Sequence, residues 1–343
     1  MTIQLSTITF SDEDDIVPAS EEDAIVNTDT ANTLAGNDLI TGTTITGSDN
    51  FGIRNSGIIN TGAGHDIIIG ICDENHPMIP NGGIRNERGT INTDDGNDII
   101  IGTSQAHDGI FILQGTINTG DGNDQIIGSA IGSGITVNSQ GIIDTGNGSD
   151  AITGMGSYGV DNYFIINTGD GNDKITGIGT SRSYYGIVNS GTMDTGAGND
   201  EITGMSANRG ISNGFDSIID TGDGNDQITG TGSTGISNDG IIKTENGQDS
   251  IIAEGGFNGI GRVFLENGKD YLKGFGTGTF NGGDDQDILE LTSGSYIFWT
   301  SAAGVAFIKN GITMHTVGFE KLIAGSTTYD FTSLTEGQTI IVA

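Results

Sequence analysis

The chain is predicted to be all-β: a right-handed parallel β-solenoid, of β-roll or β-helix type, with about ten coils and a small C-terminal β cap. Three observations predict this. A six-residue loop, best represented by Thr-Gly-Asp-Gly-Asn-Asp, recurs eleven times in register, and self-similarity at a fixed period is the signature of a stacked repeat. Apolar residues return at three fixed offsets from that loop. Glycine makes up 60 of 343 residues, too many for helices that lose about 1 kcal/mol at each interior Gly relative to Ala.

Residues 1–30 are acidic and lack the repeat, which suits an N-terminal cap that shields the edge of the first coil. Residues 31–283 hold the repeats. Their clearest loops begin at Thr119, Thr168 and Thr221, with close relatives at Thr61, Thr145 and Thr195 and looser forms at Thr33, Thr93, Thr244, Leu265 and Gly282. Loop starts at Thr93, Thr119 and Thr145 are 26 residues apart, room for three short strands and three turns. One apolar column follows each loop Asp by two (Ile126, Ile152, Ile175, Ile202, Ile228). A second follows a Gly (Ile53, Ile84, Ile110, Ile135, Val160, Ile187, Ile211, Ile236). The third precedes the loop Thr by two (Ile117, Ile143, Ile166, Met193, Ile219, Ile242). Period-two alternation turns these inward and their neighbours outward.

Coils stacked about 4.8 Å apart place like residues above one another. Two polar ladders follow: Asn55, Asn86, Asn138, Asn162, Asn189, Asn213 and Asn238, and the loop threonines Thr61, Thr93, Thr119, Thr145, Thr168, Thr195, Thr221 and Thr244. The segment Cys72–Pro80 interrupts the repeat with two prolines and reads as a surface bulge. Cys72, His76 and nearby His65 do not make a zinc site, because four ligands at a recognised spacing are missing. Residues 284–343 change character. Alternating segments at Ser295–Thr300, Gly304–Lys309 and Gly311–Val317 read as strands of a β cap with Phe298, Trp299, Phe307 and Phe319 as an aromatic core.

The loop chemistry points to calcium. Gly at positions two and four admits φ > 0 and curls the carbonyls inward, while the sixth residue is always Asp: Asp38, Asp66, Asp98, Asp124, Asp150, Asp173, Asp200, Asp226, Asp249, Asp270 and Asp287. Calcium takes six to eight hard oxygens, more than one loop supplies, so loops of adjacent coils must share each ion. Backbone at Gly62, Gly64, Gly120, Gly122, Gly146, Gly148, Gly169, Gly171, Gly196, Gly198, Gly222 and Gly224 completes the expected donor set. Carboxylates stacked about 5 Å apart repel by roughly 0.8 kcal/mol in water and about 3 at an effective dielectric of 20. The net charge of −33 adds to that strain, and about eight ions at +2 would reduce it to roughly −17. Eleven loops leave ten gaps, so roughly eight to ten Ca2+ ions are expected. Such acidity excludes nucleic acid as a partner, and no apolar run is long enough to span a bilayer.

Thr119-Gly-Asp-Gly-Asn-Asp-Gln-Ile-Ile and Thr221-Gly-Asp-Gly-Asn-Asp-Gln-Ile-Thr resemble the nonapeptides of the repeats-in-toxin (hemolysin-type) calcium-binding family, Gly-Gly-x-Gly-x-Asp-x-apolar-x. The resemblance covers about three quarters of the chain. It implies that consecutive loops sandwich calcium between carbonyls and the eleven Asp residues. The pattern here departs from the family in placing one loop per coil, which predicts a single ion column, and in Leu34, Asp94, Glu245, Glu266 and Asp285, which stand where Gly is preferred. The resemblance also implies leaderless type I secretion guided by an uncleaved C-terminus, here Thr339–Ala343, and an extracellular or cell-surface location. Calcium would then fold the repeats after export.

The function expected is a secreted structural, cell-surface or matrix and adhesion protein with no catalysis, whose further partners would be surface polysaccharide or copies of itself. The principal alternative is a polysaccharide lyase or epimerase on a solenoid, for which Tyr184, Tyr185 and Arg182 form the best cluster. No His-Glu-x-x-His or Gly-x-Ser-x-Gly motif is present. Calcium-dependent ice binding is a third reading, weakened by Ala63, Asp95, Asp121, Asn147, Asp170, Ala197 and Asp223 at the third loop position, where a regular Thr array is wanted.

Overall fold

Isoleucine at three offsets per coil builds three faces. The computed structural model describes residues 2–17, 23–44, 51–73, 82–182, 184–301 and 304–343. Within them the chain winds through three long sheets whose neighbouring strands belong to successive coils and run parallel. The strand Gln125–Ala130 leaves a loop, Ser133–Val137 crosses the second face, and Ile142–Asp144 returns to the next loop on the third. Registers repeat without slippage across coils, Ile100 over Ile126 over Ile152 and Ile117 over Ile143 over Ile166. All three predicted apolar columns point inward and are fully buried. Because each Ile sits on its like, the core is a dry stack of β-branched side chains, and burying one stabilises the fold by roughly 1.5–3 kcal/mol.

The polar ladder is broken, not continuous. Asn27 Nδ2 donates to Asn55 Oδ1 at 2.9 Å and Asn55 to Asn86 at 3.0 Å. A second run joins Asn162, Asn189, Asn213 and Asn238 at 2.8–2.9 Å. Between them the buried place is taken by Ile112 and Val137, which pair in register with Asn86 and Asn162. Asn138 therefore does not belong to the ladder. It follows Ile135 by three residues, where Asn162 follows Val160 by two, and an odd offset turns a strand residue to the opposite side. Asn189→Ala is expected to strand the Asn162 amide and the Asn213 carbonyl and to cost about 1–3 kcal/mol, as read by chemical denaturation.

Both ends differ in detail from expectation. Thr2–Gln4 and Ile16–Val17 already pair in parallel with Ala24–Val26 and Leu39–Ile40, so the acidic N-terminal segment forms a rudimentary coil of its own. At the other end Gly294–Ser301, Gly304–Lys309 and Ile312–Val317 form the antiparallel cap, with Thr339–Val342 added along its edge. Strands Ile312–Val317 and Lys321–Ala324 return to parallel pairing with the last coil, fusing cap and solenoid. Trp299 is not in the cap core. It alternates outward beside Phe298 and is 48% exposed, while Tyr296 is buried in its stead. Cys72 ends the strand Ile67–Cys72 and is buried, so it is not part of a bulge. His76 and the rest of 74–81 lie outside the described residues.

Candidate metal site

The loop geometry follows from glycine. Position two takes φ of 75–88° in Gly62, Gly120, Gly146, Gly169, Gly196 and Gly222. Position four takes 142–159° in Gly64, Gly122, Gly148, Gly171, Gly198 and Gly224, a region that essentially only Gly enters. Space enforces the same choice. A Cβ on Gly148 would lie 1.4 Å from the Gly122 carbonyl oxygen, and one on Gly146 would lie 2.0 Å from that of Gly120. These carbonyls therefore point along the stack at the next loop. No hydrogen bond reaches the carbonyl oxygens of Gly120, Gly122, Gly146 or Gly148, whereas those at position three accept from the neighbouring coil, as Asn147 O does from Gly122 N–H at 2.7 Å. Leu34, Asp94, Glu245 and Glu266 at position two, and Asp285 at position four, all keep φ between 57 and 84°. The divergent loops thus retain the left-handed curl despite losing Gly.

All eleven loop aspartates stand in one buried column along one corner of the solenoid, each 0–2% exposed. Every Oδ1 in the column accepts the backbone N–H of the column residue one coil earlier. Asp98 N–H donates to Asp124 at 2.8 Å, Asp124 to Asp150 at 2.8 Å, and Asp249 to Asp270 at 2.8 Å. The column runs further than the sequence suggested. Asp15 N–H donates to Asp38 Oδ1 at 2.8 Å, and Asp287 N–H donates to Glu320 Oε2 at 2.9 Å. Glu320 precedes the inward-facing Leu322 by two, as each loop Asp precedes its Ile, but it was hidden by the intervening cap strands.

A second, outer ladder holds the loops from the opposite direction. At position five, Asn123 N–H donates to Asn97 Oδ1 at 2.7 Å, Asn225 to Asn199 at 2.9 Å, and Asn97 to His65 Nδ1 at 2.8 Å. His65 is thus a member of this ladder. The loop threonines add a third link, Thr119 Oγ1 donating to Thr145 O at 3.2 Å and Thr145 to Thr168 O at 3.1 Å.

With Oδ1 occupied, the second carboxylate oxygen decides the chemistry. Oδ2 of Asp66, Asp98, Asp124, Asp150, Asp173, Asp200, Asp226, Asp249, Asp270 and Asp287 is buried with no donor. Asp38 Oδ2 takes the hydroxyl of Thr33, whereas in loops such as that of Asp124 the threonine hydroxyl lies beside the carboxyl but is directed to the next coil, Thr119 Oγ1 to Thr145 O at 3.2 Å. Burial pushes these carboxyls up, to about 6 for Asp98 and Asp249 and about 7 for Asp124, Asp173, Asp226 and Asp270, with the backbone N–H bond and, except at Asp270, the loop threonine hydroxyl offsetting part of the rise. A buried anionic oxygen without a donor is costly, and buried charges are found paired or bound to metal. Among the described residues no three His, Cys, Asp or Glu side chains converge on one point. Any ion here would be held by one or two carboxylates together with loop carbonyls, an all-oxygen set that suits a hard cation and not zinc.

Comparison with known proteins adds the fold alone. No protein-family model matches the chain, and no curated protein matches it in sequence. Among solved structures it is similar to a hyperactive, Ca2+-dependent, β-helical antifreeze protein from an Antarctic bacterium, with a TM-score of 0.50 and 15% identity over 97% of this chain and 95% of that one.

Proposed function

We propose that this chain is a calcium-loaded β-solenoid of the repeats-in-toxin kind, serving as a structural protein at the cell surface or in the matrix, without catalysis. The observation that carries the reading is the row of ten buried, donorless Oδ2 atoms along one corner. The Ca2+ dependence of the similar antifreeze solenoid is consistent with it. Calcium would supply the positive charge that lets this column ionise while stacked. The chain's own residues do the positioning: Gly at positions two and four directs carbonyls along the stack, and the Oδ1 bonds fix each carboxylate while leaving Oδ2 free to accept a cation.

Asp124→Asn tests the assignment. Asn keeps an Oδ1 to accept from Asp98 N–H but carries no anionic oxygen, so a purely structural column should be indifferent to it or gain stability. The proposal expects the variant to bind about one ion fewer by equilibrium dialysis and to lose part of the calcium-induced rise in melting temperature.

Ice binding is the second reading, and one observation favours it. Thr153, Thr176, Thr203 and Thr229 stack in register on the outward side of the strands that follow the loops, continuing a column of Thr41, Ile69, Ile101 and Ile127. This flat Thr and Ile face is not the loop face weighed from sequence. Thermal hysteresis in calcium would support the reading, and freezing-point behaviour equal to a matched protein control would eliminate it.

A further inference from the structure

Aromatic residues are scarce in the coils but concentrated at one place. Between 51 and 250 there are eight, and five of them are Tyr158, Tyr163, Phe164, Tyr184 and Tyr185. The solenoid brings Tyr158, Tyr184 and Tyr185 together on the second face, and Tyr163, in the turn that follows Tyr158–Asn162, reaches Asp161 with its hydroxyl. The Tyr158 ring lies 4.7 Å from Tyr184 and 5.8 Å from Tyr185, tilted by 51° and 44°. Tyr184 and Tyr163 are 38% and 46% exposed. A core position would not leave so much aromatic surface in water, and coil stacking does not demand rings here, since neighbouring coils place Ser133, Arg209 and Thr234 at the register positions of Tyr158 and Tyr185, with the Arg209 guanidinium 5.4 Å from the Tyr185 ring.

Under the rings lie two carboxylates that the calcium column does not use. Thr136 pairs in register with Asp161 on one side and Phe111 on the other. Its hydroxyl donates to Asp108 Oδ1 at 3.3 Å, and Ser133 N–H donates to the same oxygen at 3.2 Å. Asp161 is 7% exposed, and its Oδ1 has no hydrogen-bond partner. Asp161 alternates outward between the inward-facing Val160 and Asn162, so the donorless oxygen belongs to the aromatic strip and not to the core. Burial pushes its carboxyl up to about 6, a hydrogen bond from the Tyr163 hydroxyl offsetting part of the rise and repulsion from Asp108 adding to it.

We propose that this strip, with Tyr158, Tyr184, Tyr185 and Tyr163 over Asp108 and Asp161, binds a neutral carbohydrate chain. Sugar rings present apolar C–H faces that stack on aromatic planes and a rim of hydroxyls that donate to carboxylates, the combination of aromatic lining and few polar acceptors typical of small-molecule sites. A sugar hydroxyl would give Asp161 Oδ1 the donor it lacks, beside the Tyr163 hydroxyl that already bonds this carboxyl. The net charge of −33 repels uronates and sulfated glycans. The inference gives the proposed surface protein a partner class but does not depend on its calcium sites.

The test is affinity electrophoresis of the full-length protein in calcium buffer, through native gels holding hydroxyethylcellulose or galactomannan, with polygalacturonate as the anionic counterpart. The neutral gels are expected to retard the protein and the anionic gel not to. Tyr184→Ala, at an exposed ring, should weaken retardation at least fivefold with unchanged melting temperature. Trp299→Ala, an exposed aromatic of the cap, should have no effect. Absence of retardation in both neutral gels would overturn the proposal, as would equal retardation of Tyr184→Ala and wild type. Loss of the calcium response in melting temperature with retardation intact would count against the calcium reading alone.

Discussion

Stripped of calcium, the protein is expected to lose stability steadily as the pH rises from about 4 to 7, and saturating calcium is expected to abolish that loss. The folded column holds its protons more tightly than the unfolded chain, because burial raises Asp98, Asp249 and Asp287 to about 6 and Asp124, Asp173, Asp226 and Asp270 to about 7 from an ordinary 3.8. Where the native state binds more protons than the unfolded state, stability falls as pH increases. The contribution is therefore complete below about pH 4 and gone once the pH passes the folded values. Calcium favours the ionised form, so it competes with protons, binds more tightly at pH 7 than at pH 5, and displaces protons as it binds. Thermal melts of dialysed protein from pH 4 to 7, with and without calcium, check the stability. A pH indicator in weakly buffered solution checks the proton release. A calcium-free melting temperature that rises with pH over this range would show that the column is not protonated in the folded state.

The second large effect is steric. Gly148→Ala is expected to cost at least about 3 kcal/mol, since it forces a side chain into a φ region reserved for Gly and against a neighbouring backbone atom. The φ there is 142°, and the new Cβ would lie 1.4 Å from Gly122 O. Gly120→Asp should be milder, because position two sits in the ordinary left-handed region that Asp can enter, although its Cβ would still meet Asp94 O at 1.9 Å and force the neighbouring backbone to shift. Asp94 already adopts it, with φ of 57°. The same contrast explains the sequence: position two has lost its Gly in four loops, at Leu34, Asp94, Glu245 and Glu266, whereas position four has lost it only at Asp285 in the last one. Denaturant unfolding of the two variants side by side measures the difference. Equal costs would mean that the loops relax freely and are not held by stacking.

The three Ile columns could be read from sequence because each rests on a local rule, alternation within a strand, repeated coil after coil. The aspartate column could be read because a fixed residue at a fixed loop position needs no knowledge of the fold. The rest depended on exact offsets or distant contacts. Asn138 was misplaced by a single residue in a coil that carries Val137 at the ladder position. Glu320 reaches the column only after the cap returns to parallel pairing, 33 residues beyond Asp287. The division of labour within ten of the eleven carboxylates, Oδ1 to the backbone and Oδ2 without a hydrogen-bond partner, is a matter of side-chain geometry that composition cannot carry. It changes the meaning of the aspartates, which hold coils together as well as offering an oxygen to a cation.

The most direct test is a calcium titration of the metal-free protein, followed by circular dichroism and melting temperature, with magnesium as the control. The account predicts a cooperative gain in β signal and a large upward shift in melting temperature with calcium and little response to magnesium, which resists giving up its waters to a carbonyl-rich site. A metal-free protein whose β signal and melting temperature do not respond to calcium would contradict it and leave the aspartate column as a purely hydrogen-bonded spine.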